Sequence, residues 1–268
     1  MSSPSEFLRS LKLPTMPEAA QALMRTLKDD NADVTTVRDI ISKDPALTAT
    51  LLRMANSAVF GLSRTVHTLD AAVQVVGMSH IRARALSICM TQSFKLPPNL
   101  DRMVFWRHSM VTAGYARWLA GEVRIDEPQA WLAGMVHRVG ELVIALQSPL
   151  LIDQVENPPC VPGERWVRER AVIGFDEGQL MAEVARRWDF PEEVALGFNY
   201  MAQPLTAKPF SPLAAVLHLA SMLAEHPADA TDPVLGLPAV VLQTLGLDAA
   251  ELNAEMPDPE SFVDLNLV

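Results

Sequence analysis

The sequence predicts an all-α fold, a multi-helix bundle in two parts, and three observations carry that expectation. Hydrophobic residues make up 49% of the 268-residue chain and charged residues 20%, enough apolar surface for a sizeable core and too little charge for global disorder. Only 6% is aromatic, while Ala, Leu, Val and Met are abundant, a balance suited to helices packed on helices. Apolar residues recur at three- and four-residue spacing, and no convincing run alternates β-branched with polar residues as a half-buried strand would.

In "PTMPEAAQALMRTLKD", Pro17 is placed to start a helix whose Ala20, Leu23, Met24 and Leu27 share one face. "VTTVRDIISKDPALTATLLRMANSAVFG" breaks near Asp44–Pro45, because proline is tolerated in a first helical turn but not in an interior. The second helix runs to about Asn56, with Gly61 as a stop. "LDAAVQVVGMSHIRARALSICMTQSF" gives two helices punctuated at Gly77. The proline pair in "KLPPN" disfavours helix and is the best internal boundary, dividing an N-terminal helical part (1–96) from a second bundle (97–225).

In the second part, "LDRMVFWRHSMVTAGYARWLAGEV" is one long helix bearing His108, and "EPQAWLAGMVHRVGELVIAL" is another bearing His137. "SPLLIDQVENPPCVPGERW" reads as a Pro-rich connector, and "DEGQLMAEVARRW" and "PEEVALGFNYMA" as a helix pair. "SPLAAVLHLASMLAEH" is an apolar helix bearing His218. Residues 226–268 form an acidic, Pro-rich C-terminal tail with at most two short helices, expected to lie on the surface.

The net charge of −10 divides unevenly. Residues 1–125 hold 15 basic and 10 acidic side chains, and residues 126–268 hold 7 and 22. A phosphate-tracking protein carries a dense basic face, so no nucleic-acid partner is expected. Arg82 and Arg84 lie about 200° apart on a helix. With Arg53 and Arg64 they give either a basic surface for an anion or partner, or ordinary solvated faces. No apolar stretch reaches the roughly 18 to 20 residues that span a bilayer, and the N-terminus lacks a basic start followed by a continuous apolar segment, so no membrane insertion is expected. Cys89 and Cys160 have no metal or redox spacing and fit reduced thiols in a cytoplasmic protein. There is no Gly-rich phosphate loop, Ser-His-Asp order or Cys-x-x-Cys pair.

"LPTMPEAAQALM", "ISKDPALTATLLRMANSAVFGLSRTVHTLDAAVQVVGMSHIRARAL", "FWRHSM" and "LAGMVHRVGELV" together resemble an HDOD domain over roughly residues 13 to 225. The residues that carry the likeness include Asp44, Pro45, Asn56, Ser57, Gly61 and Gly77, and their role is expected to be structural. The resemblance implies an all-α protein whose N-terminal helical subdomain packs with a degenerate HD-like helical bundle, related to the HD-domain metal phosphohydrolases. Such relatives are mostly signalling and regulatory modules.

An HD hydrolase holds one or two divalent metals on imidazoles and carboxylates from several helices, and the metal activates a water and clamps phosphoryl oxygens. By resemblance the first His is His108 and the His of the His-Asp pair is His137, but the Asp is replaced by Arg138. Glu177 stands at a later His position, Asn199 to Met201 replace an expected His pair, and Ser221 replaces a terminal Asp. Two imidazoles and one carboxylate are thin for a dication, which wants at least three good ligands. A guanidinium stays protonated, cannot coordinate, and at about 4 Å would repel a dication by several kcal/mol even at an effective dielectric of about 20.

The family's Asp-x-x-Lys has become Arg138-x-x-Glu141, a local pair with its signs exchanged. Arg138 either fills the vacated space, neutralised by Glu141 or Glu177, or is an ordinary exposed arginine. His108, His137 and His218 sit on apolar faces, where a hydrogen-bonded core histidine is the commoner outcome and ligand contact the alternative.

These residues imply no cofactor, no metal and no enzymatic activity. The expected function is a non-enzymatic bacterial signal-transduction or regulatory module acting through protein–protein interactions. Its expected partners are a histidine kinase, a response regulator or a cyclic-dinucleotide enzyme. The alternatives are a sensor that binds a small anionic ligand or nucleotide in the vestigial HD pocket, among His108, His137, Arg138, Glu177 and Ser221, and, behind it, a residual metal-dependent phosphohydrolase.

Overall fold

The computed structural model describes residues 3–9, 13, 18–27, 34–56, 65–227 and 231–263. Helices dominate, and no strand occurs among the described residues. The N-terminal half contains α2 (Glu18–Leu27), α3 (Val34–Ser42), α4 (Pro45–Ala55), α5 (Leu69–Val76) and α6 (Met78–Ser93). Asp44 ends one helix and starts the next: its carboxylate accepts the backbone N–H groups of Ala46 and Leu47 at 2.9 and 3.0 Å, with Pro45 in the first turn. Asn56 donates its side-chain amide to the Val66 carbonyl at 2.8 Å and accepts the Val66 N–H at 2.7 Å, bracketing the chain between them. Ser57 and Gly61, like Pro17 and Arg64, lie outside the described residues. Gly77 has φ +90°, a conformation that side-chain-bearing residues rarely adopt, and it separates α5 from α6 as expected.

The segment 94–101 is non-helical, and Asp101 caps the long α7 (Arg102–Val123). The chain turns at Arg124 and folds back as α8 (Glu127–Val136), the most extensive helix pair in the molecule. One expectation fails here. "EPQAWLAGMVHRVGELVIAL" is two helices, α8 and α9 (Val139–Gln147), separated by a turn at His137 and Arg138. Glycines allow the bend to seat. A Cβ on Gly134 would come within 2.7 Å of the Ala113 Cα, and one on Gly140 within 2.1 Å of the Glu177 carbonyl oxygen.

The supposed connector is also helical, as α10 (Pro149–Glu156) and α11 (Glu164–Val172), with the prolines confined to the bend and the first turn. The bundle closes with α12 (Glu177–Arg187), α13 (Glu192–Tyr200) and α14 (Pro212–Glu225), and α14 packs against both α7 and α13. A first helix, α1 (Pro4–Arg9), packs on α12. Phe7 meets Phe175 edge-on at 5.3 Å, and Ser5 donates to Glu183 at 2.7 Å. One apolar core runs through both halves, and α6 touches helices of each.

The tail forms α15 (Ala239–Leu245) and α16 (Ala249–Glu255), but it is not merely a surface segment. Val241, Leu242 and Leu252 are buried, and Phe262 packs edge-on against Tyr115 at 5.2 Å. Gly114 makes room for that ring, since a Cβ there would meet three ring carbons at 2.1–2.5 Å. No single helix among the described residues is long and apolar enough to cross a membrane.

Candidate functional site

His108 on α7 and His137 at the α8–α9 turn face each other with ring centroids 5.7 Å apart. His137 is fully buried, and its Nδ1 donates to the Gly134 carbonyl at 2.6 Å, which leaves Nε2 as a bare acceptor without a hydrogen-bond partner. Burial, with Arg138 adding to it, pulls this imidazole down to about 3 despite the Gly134 bond. His108 lies well below the usual imidazole range, first through burial and then through Arg138 and His137. Both rings are therefore neutral at physiological pH.

Arg138 is partly buried and points inward. Its Nε donates to Glu141 Oε2 at 2.5 Å, closing the exchanged-sign pair across one helical turn. Glu177, the other carboxylate expected to neutralise Arg138, instead approaches a second arginine. That residue is Arg165 on α11, 4% exposed and the centre of the cluster. Its Nη2 lies 3.0 Å from Glu141, and its Nε lies 3.2 Å from Glu169 and 3.6 Å from Glu177. Its Nη1 is bonded to Glu156. The Nη2 and Nε contacts are ionic and lack hydrogen-bond alignment.

Burial favours the neutral carboxyl of Glu141, but Arg138 and Arg165 outweigh it and hold its pKa down. Burial likewise opposes charge on Arg165, and Glu141, Glu177 and Glu169 overcome it and push its pKa up. Glu169 goes the other way, raised well above the carboxylate range by burial and then by Glu177. Glu177 is also raised, burial again leading. Glu169 Oε2 accepts the Glu177 backbone N–H at 2.7 Å, whereas Glu169 Oε1 and Glu177 Oε2 have no hydrogen-bond partner.

A cavity of about 520 Å³ opens beside the cluster. Arg138, Arg165 and His108 contribute to its wall, and so do Asp101, Glu141, Asp153, Glu156 and Glu225. His137, Glu177 and Ser221 do not line it. Ser221 is buried on α14 with its hydroxyl unpartnered. His218 has a structural role: Nδ1 donates to the Met201 carbonyl at 2.7 Å, and the ring stacks on Trp166 at 5.0 Å. Among the described residues no three His, Cys, Asp or Glu side chains form a set able to hold a metal ion.

Sequence reasoning misses Glu156 and Arg165 because they fall in a stretch that reads as a connector, Glu169 because it lies just past that connector, and Glu225 because its helix is weighed only for His218. The signal present was "ERWVRER", in which Arg165 and Glu169 stand four apart as a helical ion pair would.

The site is thus a helical pocket with His108 on one side, His137 facing it from behind the wall, and a carboxylate-bound guanidinium on the other. Residues 13–204 match the HDOD domain family, and the chain belongs to that family. It resembles a crystallised protein of Shewanella amazonensis, provisionally designated a phosphohydrolase, at 25% identity and TM-score 0.79, covering 99% of this chain and 98% of that one. An HDOD domain protein of Geobacter sulfurreducens shares the fold at 22% identity and TM-score 0.79, over 98% of this chain and 96% of the other. A protein of Marinobacter aquaeolei, provisionally designated a signal transduction protein, does so at 24% identity and TM-score 0.78, over 98% of this chain and 60% of the other. A Treponema pallidum protein is 22% identical over 78% of this chain, and the chain spans 42% of that curated relative's length.

Proposed function

We propose that this HDOD chain is a non-enzymatic signal-transduction module that acts through contacts with other proteins, its HD metal chemistry lost. One observation carries the reading: the pocket holds two guanidiniums, Arg138 and Arg165, tied to the carboxylates a metal would need. Neither group can coordinate, and each adds a fixed positive charge where a dication would have to sit. The residues present do not fit the metal of the HD hydrolases. The signalling designation of the Marinobacter relative agrees with a regulatory role, and a histidine kinase, response regulator or cyclic-dinucleotide enzyme is the kind of partner expected. The module is proposed to work in the cytoplasm.

An anion sensor in the same pocket is less well supported. The cavity is roomy, but Asp101, Glu141, Asp153, Glu156 and Glu225 outnumber the two guanidiniums on its wall, and both guanidiniums are already paired. A phosphate entering there would meet more negative than positive charge.

The test is elemental analysis of protein purified without chelator, together with hydrolysis of a generic aryl phosphodiester in added Mn²⁺. Below about a tenth of an equivalent of metal and no turnover above a heat-denatured control are expected, with Arg138→Asp behaving alike. A stoichiometric metal with metal-dependent turnover would sink the reading.

A further inference from the structure

Residues 257–263 lie along α7, outside the 13–204 stretch that matches the family. None of them is fully buried. Three contacts hold them there. Phe262 sits edge-on against Tyr115 in the notch that Gly114 leaves, Glu260 pairs with Arg107 at the surface, and the Tyr115 hydroxyl donates to the Pro257 carbonyl across a long 3.5 Å. The segment keeps its own shape: the Asp258 carboxylate accepts the Glu260 N–H at 2.9 Å, and the Ser261 hydroxyl donates to the Asp258 carbonyl at 2.6 Å. A segment that is already folded loses little entropy on docking. Its seat is imperfect. A cavity of about 110 Å³ remains between it, α7 and α14, lined by Arg107, Val111, Tyr115, Leu223, Met256 and Pro259 among others, whereas permanent cores leave few voids larger than a water. Ala224 lines both this cavity and the larger pocket beside Arg165.

We infer that this face of α7 is a docking site for a short acidic, aromatic-bearing segment of a partner protein, and that the chain's own residues 257–263 fill it until the partner displaces them. Each part of the seat reads one part of that segment. Arg107, exposed and fixed on a long helix, takes a carboxylate. Gly114 admits an aromatic ring two residues further on, because the ring rests where a Cβ would stand, and Tyr115 meets it edge to face. Glu260 and Phe262 supply that carboxylate and ring from within the chain. The leftover cavity is where a better-fitting segment gains contacts that the resident one lacks. The inference rests on the reading of the chain as a protein-contact module and names the chemistry of the partner.

The experiment titrates full-length protein into a fluorescent peptide with the sequence of residues 256–263, Met-Pro-Asp-Pro-Glu-Ser-Phe-Val, and reads anisotropy. A tethered segment competes at about millimolar effective concentration, so Phe262→Ala, which vacates the notch, should bind the peptide at least about tenfold more tightly than the native chain. The same peptide with alanine for its phenylalanine should not bind. Adding Arg107→Glu to Phe262→Ala should weaken binding about tenfold, and a peptide with lysine for its glutamate should restore it. That rescue is something a merely damaged fold would not give. Equal affinity of the native chain and Phe262→Ala, binding indifferent to the peptide's phenylalanine, or no rescue by the exchanged charges overturns the inference. So does loss of the folded circular-dichroism spectrum in Phe262→Ala, which would make the segment a fixed part of the core. Sedimentation covers the remaining occupant: a native dimer that Phe262→Ala dissolves would seat a second copy's tail on α7 and overturn the partner assignment. None of these failures touches the signalling proposal, which falls only on stoichiometric metal with metal-dependent turnover.

Discussion

The two halves of the molecule hold their buried polar groups in different ways. In the N-terminal half several polar side chains serve backbone close to them in sequence, while Arg82 reaches the Thr26 carbonyl at 2.8 Å and Arg84 lies over the Trp131 ring. Asp44 caps α4, Asn56 brackets Val66, and the hydroxyls of Thr26, Ser87 and Thr91 bond to carbonyls three or four residues back. In the HD-like half Ser109 and His137 also bond local carbonyls, but the buried acids turn to a shared side chain, with Glu141, Glu156, Glu169 and Glu177 meeting on Arg165. Local partners can be lost one at a time for about 1 kcal/mol each, whereas a buried ionic cluster fails when a single member leaves the rest uncompensated.

Acid should separate the halves most strongly. Folding keeps His137 neutral, so between its ordinary 6.5 and about 3 the unfolded chain binds a proton that the folded chain refuses. The His137 contribution to stability falls as pH drops through that window, by on the order of 4 kcal/mol at its lower end, opposed in the upper part by Glu169 and Glu177, whose raised carboxyls hold protons in the folded chain. Denaturant melts of His137→Asn, set against the native chain across that range, should show a shallower acid loss, and an identical profile would remove His137 from the account. Next comes Glu141→Leu, which takes one acid from both guanidiniums and should cost about 3 kcal/mol in urea unfolding. A cost below about 1 kcal/mol would show that Arg138 and Arg165 find solvent or other acids without strain.

Gly140→Ala tests the packing beneath the cluster. Its Cβ would collide with the Glu177 backbone, and a loss of about 2 to 3 kcal/mol is expected. The N-terminal half should respond less. Asn56→Ala removes both bonds to Val66 and should cost about 1 to 2 kcal/mol, and Asp44→Ala should cost about 1 kcal/mol through the lost cap. The comparison breaks if these two variants unfold as readily as Glu141→Leu.

Legibility in the sequence follows the same division. Asp44–Pro45, the Gly77 punctuation and the break at residues 95–99 were readable because each acts within a few residues of itself. The inward turn of Arg138 toward Glu141 was half readable, since the two are one helical turn apart. The split of α8 from α9 was not, because Gly134 and Gly140 matter only once Ala113 and Glu177 lie against them. The docking of Phe262 on Gly114 was hidden for the same reason, with 147 positions of chain between them.

By itself the sequence determined the helical class, the family and the loss of the familiar His-Asp pair, all of which rest on short-range periodicity or on residue identity at a motif. Only the tertiary structure decided which cation sits among the acids. Arg165 is 24 residues from Glu141 and 12 from Glu177, distances at which no spacing rule applies, and it reaches both because α9, α11 and α12 pack around a common point. Coulomb attraction in a dry interior selects partners by position in space, and position in space is what folding adds.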